Sequence, residues 1–470
     1  MMRLIYSTLP FLLLCFLGGC MVGPPYQPPM PLPQTPPAVY KESPSNFSET
    51  GGWKIAQPQD AMLRGKWWEI FHDPQLNALE DQLDINNQNI KVYFQNFMEA
   101  RALIAEARSQ LYPTVTVSPA YTRSRSPSIG VSSAAFASGN GNNGIVASSS
   151  GNQTTFVTLP FDVSWEPDLW GKVRYAINEE TYNSQLSAAD LENERLTEEA
   201  SLATYFFEIR GQDALQQLYN NTVAADKKSL DYAQSQYQTG IGDQISVIEA
   251  QTTLQSAQAA ALDLGVARAQ YEHAIAVLVG KNPSQFSIPV NPSVTSPPPI
   301  PIGVPSQLLE RRPDIAAAER TMAAANAQIG IEYTAWYPQL TLSASAGFES
   351  NSIDSLLDWP NRFWSIGPSA SYTIFDAGLR RATVDQYVAT FNGDLATYRQ
   401  TVLTAFQQVE DNLAAVRIQS LEVEQLETTV KSAQNYVKIE WSRYKTGIDP
   451  YVDFVTAETT LLADQQTLIS

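Results

Sequence analysis

The 470-residue chain carries 48 acidic against 30 basic side chains, a formal net charge of −18 at pH 7. Its lysines and arginines are scattered and not clustered as phosphate contacts require, so nucleic acid is excluded as a partner. Its two histidines, His72 and His273, lie far apart without cysteines or carboxylates at ligand spacing, so they read as helix-surface residues and no metal site is expected.

The first 19 residues read as an export signal: Arg3 is the positive start, Leu9 to Leu17 the apolar run, and Leu17-Gly18-Gly19-Cys20 the processing site. The run is short of the ~20 apolar residues that a spanning helix needs. A small residue before the cysteine suits cleavage, which frees the Cys20 thiol for a diacylglycerol thioether and its amine for an N-acyl chain. Cys15 follows Leu14 and fails this requirement. After cleavage Cys20 is the sole cysteine, so no disulfide is possible. Met21 is not the aspartate that retains lipoproteins in the inner membrane, so the expected destination is the outer membrane of a Gram-negative bacterium, with several acyl chains as a firm anchor.

Residues 20–60 read as an acylated tether, because nine prolines fall within residues 24–44 and such a stretch stays extended. The body, residues 61–282, opens on Trp67-Trp68-Glu69-Ile70-Phe71, then a helix start at Asp73-Pro74 and the apolar series Leu76, Leu79, Leu83, Ile90.

An internal repeat organises the rest. Gly171 matches Gly378, Arg210 matches Arg417, Tyr237-Gln238-Thr239-Gly240-Ile241 matches Tyr444-Lys445-Thr446-Gly447-Ile448, and Leu254 matches Leu461, all at a separation of 207 residues (378 − 171). Upstream, Tyr112-Pro113 matches Tyr337-Pro338 at 225 (337 − 112), so the first copy carries an 18-residue insertion. It falls in the Ser, Gly and Asn-rich stretch Ser124 to Thr155, which reads as a long loop. Its Gly139 to Gly144 run lacks the Lys-Ser/Thr and the following helix of a phosphate loop. A Pro-rich connector, residues 283–305, leads to the second copy at 306–470.

No proline interrupts Pro167 to Pro283 or Pro368 to Pro450, and helix-favouring residues dominate both stretches. They predict helical hairpins at about 171–279 and 378–470. The segment Lys172 to Tyr237, as one helix, would extend roughly 100 Å. Strands are predicted at about 113–125, 154–166, 338–349 and 364–375. Val157, Leu159, Phe161, Val163 and Trp165 alternate with polar residues, as do Leu340, Leu342, Ala344, Ala346 and Phe348, while Val115, Val117, Ala370, Tyr372 and Ile374 supply the outer strands. A soluble sheet would show the same alternation, and the lipid-anchored context favours a membrane barrel. A lipid-embedded sheet must close. Four strands cannot do so, eight leave no channel, and three protomers give twelve strands around a lumen. The fold class is thus mainly α with membrane β: long hairpins forming a periplasmic tunnel, four strands per protomer in a 12-stranded trimeric barrel, and an internal duplication. The register places the partner of Leu278 at position 485 (278 + 207), beyond Ser470, so the second hairpin is expected to be shorter by about four turns.

These features together resemble the TolC-type outer-membrane efflux factors, particularly their OprM-like lipoprotein branch. The resemblance spans nearly the whole mature chain. It is carried by Cys20-Met21-Val22-Gly23-Pro24 with Tyr26, Trp67-Trp68, Leu308-Leu309-Glu310-Arg311-Arg312-Pro313-Asp314-Ile315, both Tyr-Pro strand entries and both Tyr-x-Thr-Gly turns. It implies the exit channel of a tripartite efflux pump, passively conducting drugs or other small molecules. The implied partners are two further copies of the chain, a periplasmic adaptor and an inner-membrane pump of the RND type.

The resemblance also implies that the Tyr-x-Thr-Gly turns form the periplasmic tip. Thr239, Gly240, Ile241, Thr446, Gly447 and Ile448 would be the adaptor-docking residues. Inward carboxylates on the following helix would form a constriction ring. Here Val452, Asp453 and Thr456 occupy that stretch, and Thr456 stands at a position acidic in relatives, so three carboxylates are expected where six would be. Asp243 and Asp449 lie close enough to compensate, and Tyr444 is expected to hydrogen-bond across protomers. Carboxylates brought together by symmetry resist simultaneous ionisation and favour cations. The competing reading is a periplasmic helical-hairpin lipoprotein serving as a structural spacer or adaptor without a channel. An enzyme is not expected: no serine elbow, zinc pair or carboxylate dyad stands in a supporting context, and no cofactor is implied.

Overall fold

The computed structural model describes residues 21–32, 41, 65–125, 153–293, 297–298 and 311–470. The export signal, Cys20, most of the tether, residues 126–152 of the insertion, much of the connector and Leu308 to Glu310 lie outside the described residues. The chain divides into two compact units: residues 1–27, 101–182 and 323–392 form one, and residues 28–100, 183–322 and 393–470 the other.

The first unit is built on one antiparallel sheet. Its strands are β1 (Thr114–Val117), β2 (Ala120–Arg125), β3 (Gln153–Trp165), β4 (Gln339–Ser350) and β5 (Arg362–Ser371), in the order β1-β3-β4-β5 with β2 also paired to β3. The first predicted strand is thus two strands on one partner. Val117 pairs with Phe161 and Ala120 with Thr158, which puts Pro160 of β3 at the interruption. Proline has no N–H to give the ladder. Pro160 instead accepts from the Ser118 N–H at 3.4 Å. The fourth strand ends at Ser371, so Tyr372 and Ile374 fall beyond it, contrary to the predicted 364–375.

Register aligns the apolar positions on one face: Val115 opposite Val163, Phe161 opposite Ala346, Ala344 opposite Ile366 and Ala346 opposite Trp364. That face is open in the single chain, with Trp364 75% and Ile366 76% exposed.

The long helices start from the ends of this sheet. Gly171 and Gly378, equivalent in the repeat, both have positive φ (86° and 91°), which glycine adopts without strain. Asp168 then accepts from the N–H groups of Val173 and Arg174 at 3.1 Å and pairs with the Arg174 guanidinium at 3.0 Å, capping α3 (Lys172–Gln238). Asp376 pairs with Arg380 at 2.5 Å ahead of α6 (Leu379–Lys445). Residues 21–32 are extended, as their prolines require, but they are fastened. Val22 N–H donates to the Trp170 carbonyl (3.1 Å), Asn326 to the Pro24 carbonyl (3.3 Å), and Tyr26 packs on Tyr182.

The second unit is helical. Asp73 caps α1 (Pro74–Asn86), accepting from Gln75 and Leu76 N–H at 2.8 and 3.2 Å, with Pro74 in the first turn where its missing N–H costs nothing. The apolar stripe Leu76, Leu79, Leu83, continued by Ile90 of α2 (Gln88–Ser109), is buried against Leu202, Phe206 and Ile209 of α3 and Ile275 of α4 (Gln244–Leu278). Each such side chain contributes about 1.5–3 kcal/mol by leaving water. His72 is exposed at the end of the preceding 3-10 turn, with φ 54°, and is not on a helix surface as expected. α5 (Pro313–Thr334) contributes residues to both units, and α7 (Tyr451–Ile469) closes the chain.

Helices α3 and α6 are each 67 residues long, ~100 Å at 1.5 Å per residue. The hairpin return α7 has 19 residues against 35 in α4. No helix among the described residues is long and apolar enough to cross a membrane.

Candidate functional site at the helix reversals

The two Tyr-x-Thr-Gly-Ile segments form the same device. After α3, Gly240 takes φ 76° and donates to the Tyr237 carbonyl at 3.0 Å, while Ile241 donates to the Gln236 carbonyl at 3.0 Å. After α6, Gly447 takes φ 72° and donates to Tyr444 at 2.9 Å, and Ile448 donates to Arg443 at 3.0 Å. This pair of bonds is the Schellman motif, which satisfies the last carbonyls of a helix and turns the chain away. Thr239 and Thr446 add side-chain bonds to the carbonyls of Ser235 and Ser442. The motif leaves its isoleucines in solvent: Ile241 is 80% and Ile448 65% exposed.

The two returns differ. Asp243 caps α4, accepting from the Ser246 N–H at 2.7 Å, and that bond holds its carboxyl below the usual range. In the second turn Pro450 stands at the cap position and contributes no side chain. Asp449 instead binds the Arg443 guanidinium through both oxygens, one at 2.9 Å, which lowers its pKa. Asp449 is therefore held by an arginine within its own hairpin.

Tyr444 is buried inside the protomer. It packs with Tyr232 of α3, Ala250 of α4, Trp441 of α6 and Tyr451 and Phe454 of α7. The rings are in edge and tilted contact, Trp441 to Phe454 at 4.8 Å and Tyr444 to Tyr451 at 5.1 Å. Such pairs add about 0.5–1.5 kcal/mol beyond burial. The Tyr444 hydroxyl is buried without a partner among the described residues, and burial raises its pKa. Within one chain the tyrosine ties both hairpins together, because its ring belongs to their shared apolar cluster.

α7 separates its faces by helical period. Tyr451, Phe454 and Ala457 are buried, whereas Val452, Asp453 and Thr456 are exposed. Asp453 and Thr456 lie three residues apart on one surface. Thr456 spends its hydroxyl proton on the Val452 carbonyl at 2.8 Å, so Asp453 is the charged group of that stretch.

Sequence reasoning missed the aromatic cluster and a buried carboxyl pair, Asp226 and Glu458. The cluster had a signal in the two aromatic steps of three residues, Trp441 to Tyr444 and Tyr451 to Phe454. The carboxyl pair had none, since its members are distant in sequence. Among the described residues no group of histidines, cysteines or carboxylates is arranged to hold a metal ion.

Comparison with known proteins agrees with this architecture. The outer membrane efflux protein family model matches residues 79–281 and 304–470. The solvent efflux pump outer membrane protein SrpC of Pseudomonas putida is 30% identical, covering 99% of this chain and 94% of its own. The probable efflux pump outer membrane protein TtgC of P. putida KT2440 is 29% identical, covering 96% of this chain and 89% of its own. The fold matches the Campylobacter jejuni CmeC outer membrane channel with a TM-score of 0.80 at 20% identity, over 96% of this chain and 91% of that one. With both halves matched and the TolC-like architecture in place, this chain belongs to the outer membrane efflux protein family.

Proposed function

We propose that the chain is the outer-membrane exit channel of a tripartite efflux pump, working as a homotrimer with a periplasmic adaptor and an inner-membrane pump of the RND type. The observation that carries this reading is the sheet of the first unit. Its apolar positions align across the strands into one face, on which Val115, Phe161, Trp364 and Ile366 stay exposed in the single chain, and β1 and β5 lie at its margins. An exposed apolar sheet face with unpaired edges is an aggregation hazard in water. In a bilayer it becomes a barrel wall once three copies close it, since twelve strands leave a lumen.

The equal length of α3 and α6, and the same Schellman turn at each end, support an internal duplication of the hairpins. Their reversals would be the periplasmic tip. Thr239, Gly240, Ile241 and Thr446, Gly447, Ile448 would meet the adaptor, through exposed isoleucines on conformationally fixed turns. Acylation of Cys20, as the lipobox predicts, would add the anchor.

Asp453 would set the cation preference of the constriction, contributing three carboxylates to the trimer beside Val452 and Thr456. Planar-bilayer conductance tests both levels. The wild-type protein should conduct and favour cations, and Asp453→Ala should lose that preference and block by divalent cations. No conductance would sink the channel reading. Unchanged selectivity would sink the role of Asp453 alone.

A further inference from the structure

About a turn and a half beyond Asp453, Glu458 of α7 faces Asp226 of α3 at a cavity of about 230 Å³, whose wall also includes Tyr219, Thr222, Thr253, Ser256 and Thr459. Asp226 is 2% exposed, and its buried oxygens and Glu458 Oε2 find no hydrogen-bond partner among the described residues other than each other's carboxyl group. A buried carboxylate left bare is strongly disfavoured, and two that face each other resist double ionisation.

The threonines of the wall offer no relief. Thr222, Thr253 and Thr459 spend their hydroxyl protons on the carbonyls of Leu218, Glu249 and Val455, at 3.1, 3.0 and 2.7 Å. Beyond burial, the one ionisable group acting on each member of the pair is the other, and Tyr451 of α7 beside them is not cationic. On α3, Tyr219 also lines the cavity and accepts from Gln466, which leaves its own hydroxyl proton to give, while Lys227 and Lys228 next to Asp226 are exposed. The repeat register pairs Glu458 with Gln251 (458 − 207) and Asp226 with Ala433 (226 + 207), so the acid pair is not inherited from the duplication.

We infer that Asp226 and Glu458 share a single proton that latches α7 to α3, and that losing this proton as pH rises loosens the helix carrying Asp453. The latch stands on the geometry of one chain. Its bearing on the gate rests on the channel reading. Burial, reinforced by Asp226, pushes Glu458 up to about 8, and burial pushes Asp226 up to about 6. Both lie above the ordinary carboxyl values of the unfolded chain. The folded form therefore binds the proton more tightly, and the latch is intact at low pH and weakens as pH climbs through about 8. Each proton contributes a slope of up to about tenfold per pH unit in the closing equilibrium.

The test uses the purified full-length protein in detergent. Amide hydrogen exchange of residues 451–469, corrected for its intrinsic pH dependence, should lose protection in the wild type between pH 6 and 9. Glu458→Gln, which keeps the shape and the proton-like donor but cannot ionise, should flatten that loss. Equal slopes in the two proteins would overturn the latch. Infrared difference spectra of Glu80→Gln, which removes the other carboxyl held this high, should show a protonated carboxyl band at pH 7 that vanishes by pH 10; its absence would overturn the shared proton without altering the pair. Protection restored at pH 9 by sodium or calcium chloride would assign the cavity to a cation and overturn it as well. In bilayers, wild-type conductance should rise from pH 7 to 9 and that of Glu458→Gln should not. A wild type that conducts equally at both pH values would overturn the link to the gate. A protein that never conducts would refute the channel reading, and exchange would still decide the latch.

Discussion

Replacing Gly330 with alanine should loosen the packing that holds the mature N-terminal segment. Gly330 lies on α5 against the ring of Tyr175 on α3, and a Cβ there would meet ring atoms at 2.4, 2.5 and 2.6 Å. Carbon pairs sit comfortably at about 3.5–4.0 Å, so the ring must retreat by roughly 1 Å. Tyr175 is buried, and its hydroxyl lies 3.1 Å from where a Cβ on Gly23 would stand, so the retreat is towards the N-terminal segment. Overpacking of this kind costs about 1–3 kcal/mol. The assay is the denaturant midpoint of Gly330→Ala, together with protease accessibility of residues 21–27. A lower midpoint with unchanged slope and faster cleavage are expected. Trimming the obstacle should compensate, so Gly330→Ala combined with Tyr175→Leu should lose less than the two single changes added together. An unchanged midpoint for Gly330→Ala, or strict additivity in the pair, would refute the steric argument.

Glu80 is fully buried, neither of its carboxylate oxygens has a partner among the described residues, and burial followed by Glu199 pushes it up to about 9. Because the folded value exceeds the unfolded one, Glu80 favours the fold most at low pH, and that contribution drains away as pH rises from about 4.5 to 9, by up to about 1.4 kcal/mol per unit. Glu80→Gln should flatten the decline of stability between pH 5 and 8, by about 3–4 kcal/mol in the limit, and parallel profiles would contradict this. At the turns, a Cβ on Gly240 or Gly447 meets nothing within 4 Å, so alanine there carries only the conformational cost of positive φ, about 1 kcal/mol. Each variant should raise exchange of its own turn without affecting the other, and a larger global loss would show that the turns do more than end helices.

How much was legible in the sequence varies by element. Asp73-Pro74 and the Leu76, Leu79, Leu83 stripe announced a capped amphipathic helix, because capping and helical burial are local and periodic. The repeated Tyr-x-Thr-Gly-Ile segments marked both reversals, because a left-handed residue at a helix end selects glycine wherever it occurs. The strand limits were less legible. Pro160 lies within a run whose alternation is unbroken, and only its pairing with Ser118 reveals that it splits the neighbouring strand.

The sequence by itself determined the periods and the turns, which depend on neighbours a few residues away, and the matching segments 207 residues apart, which are read by direct comparison. Only the tertiary structure decided that Tyr444 faces inward, that Asp449 is neutralised by Arg443, and that Asp226 meets Glu458. Tyr444 and the carboxyl pair depend on which helices pack side by side, and Asp449 on how the second turn folds back on its helix. A carboxylate becomes a latch only when packing removes its water and sets a second carboxylate before it, and neither condition is written at either position in the chain.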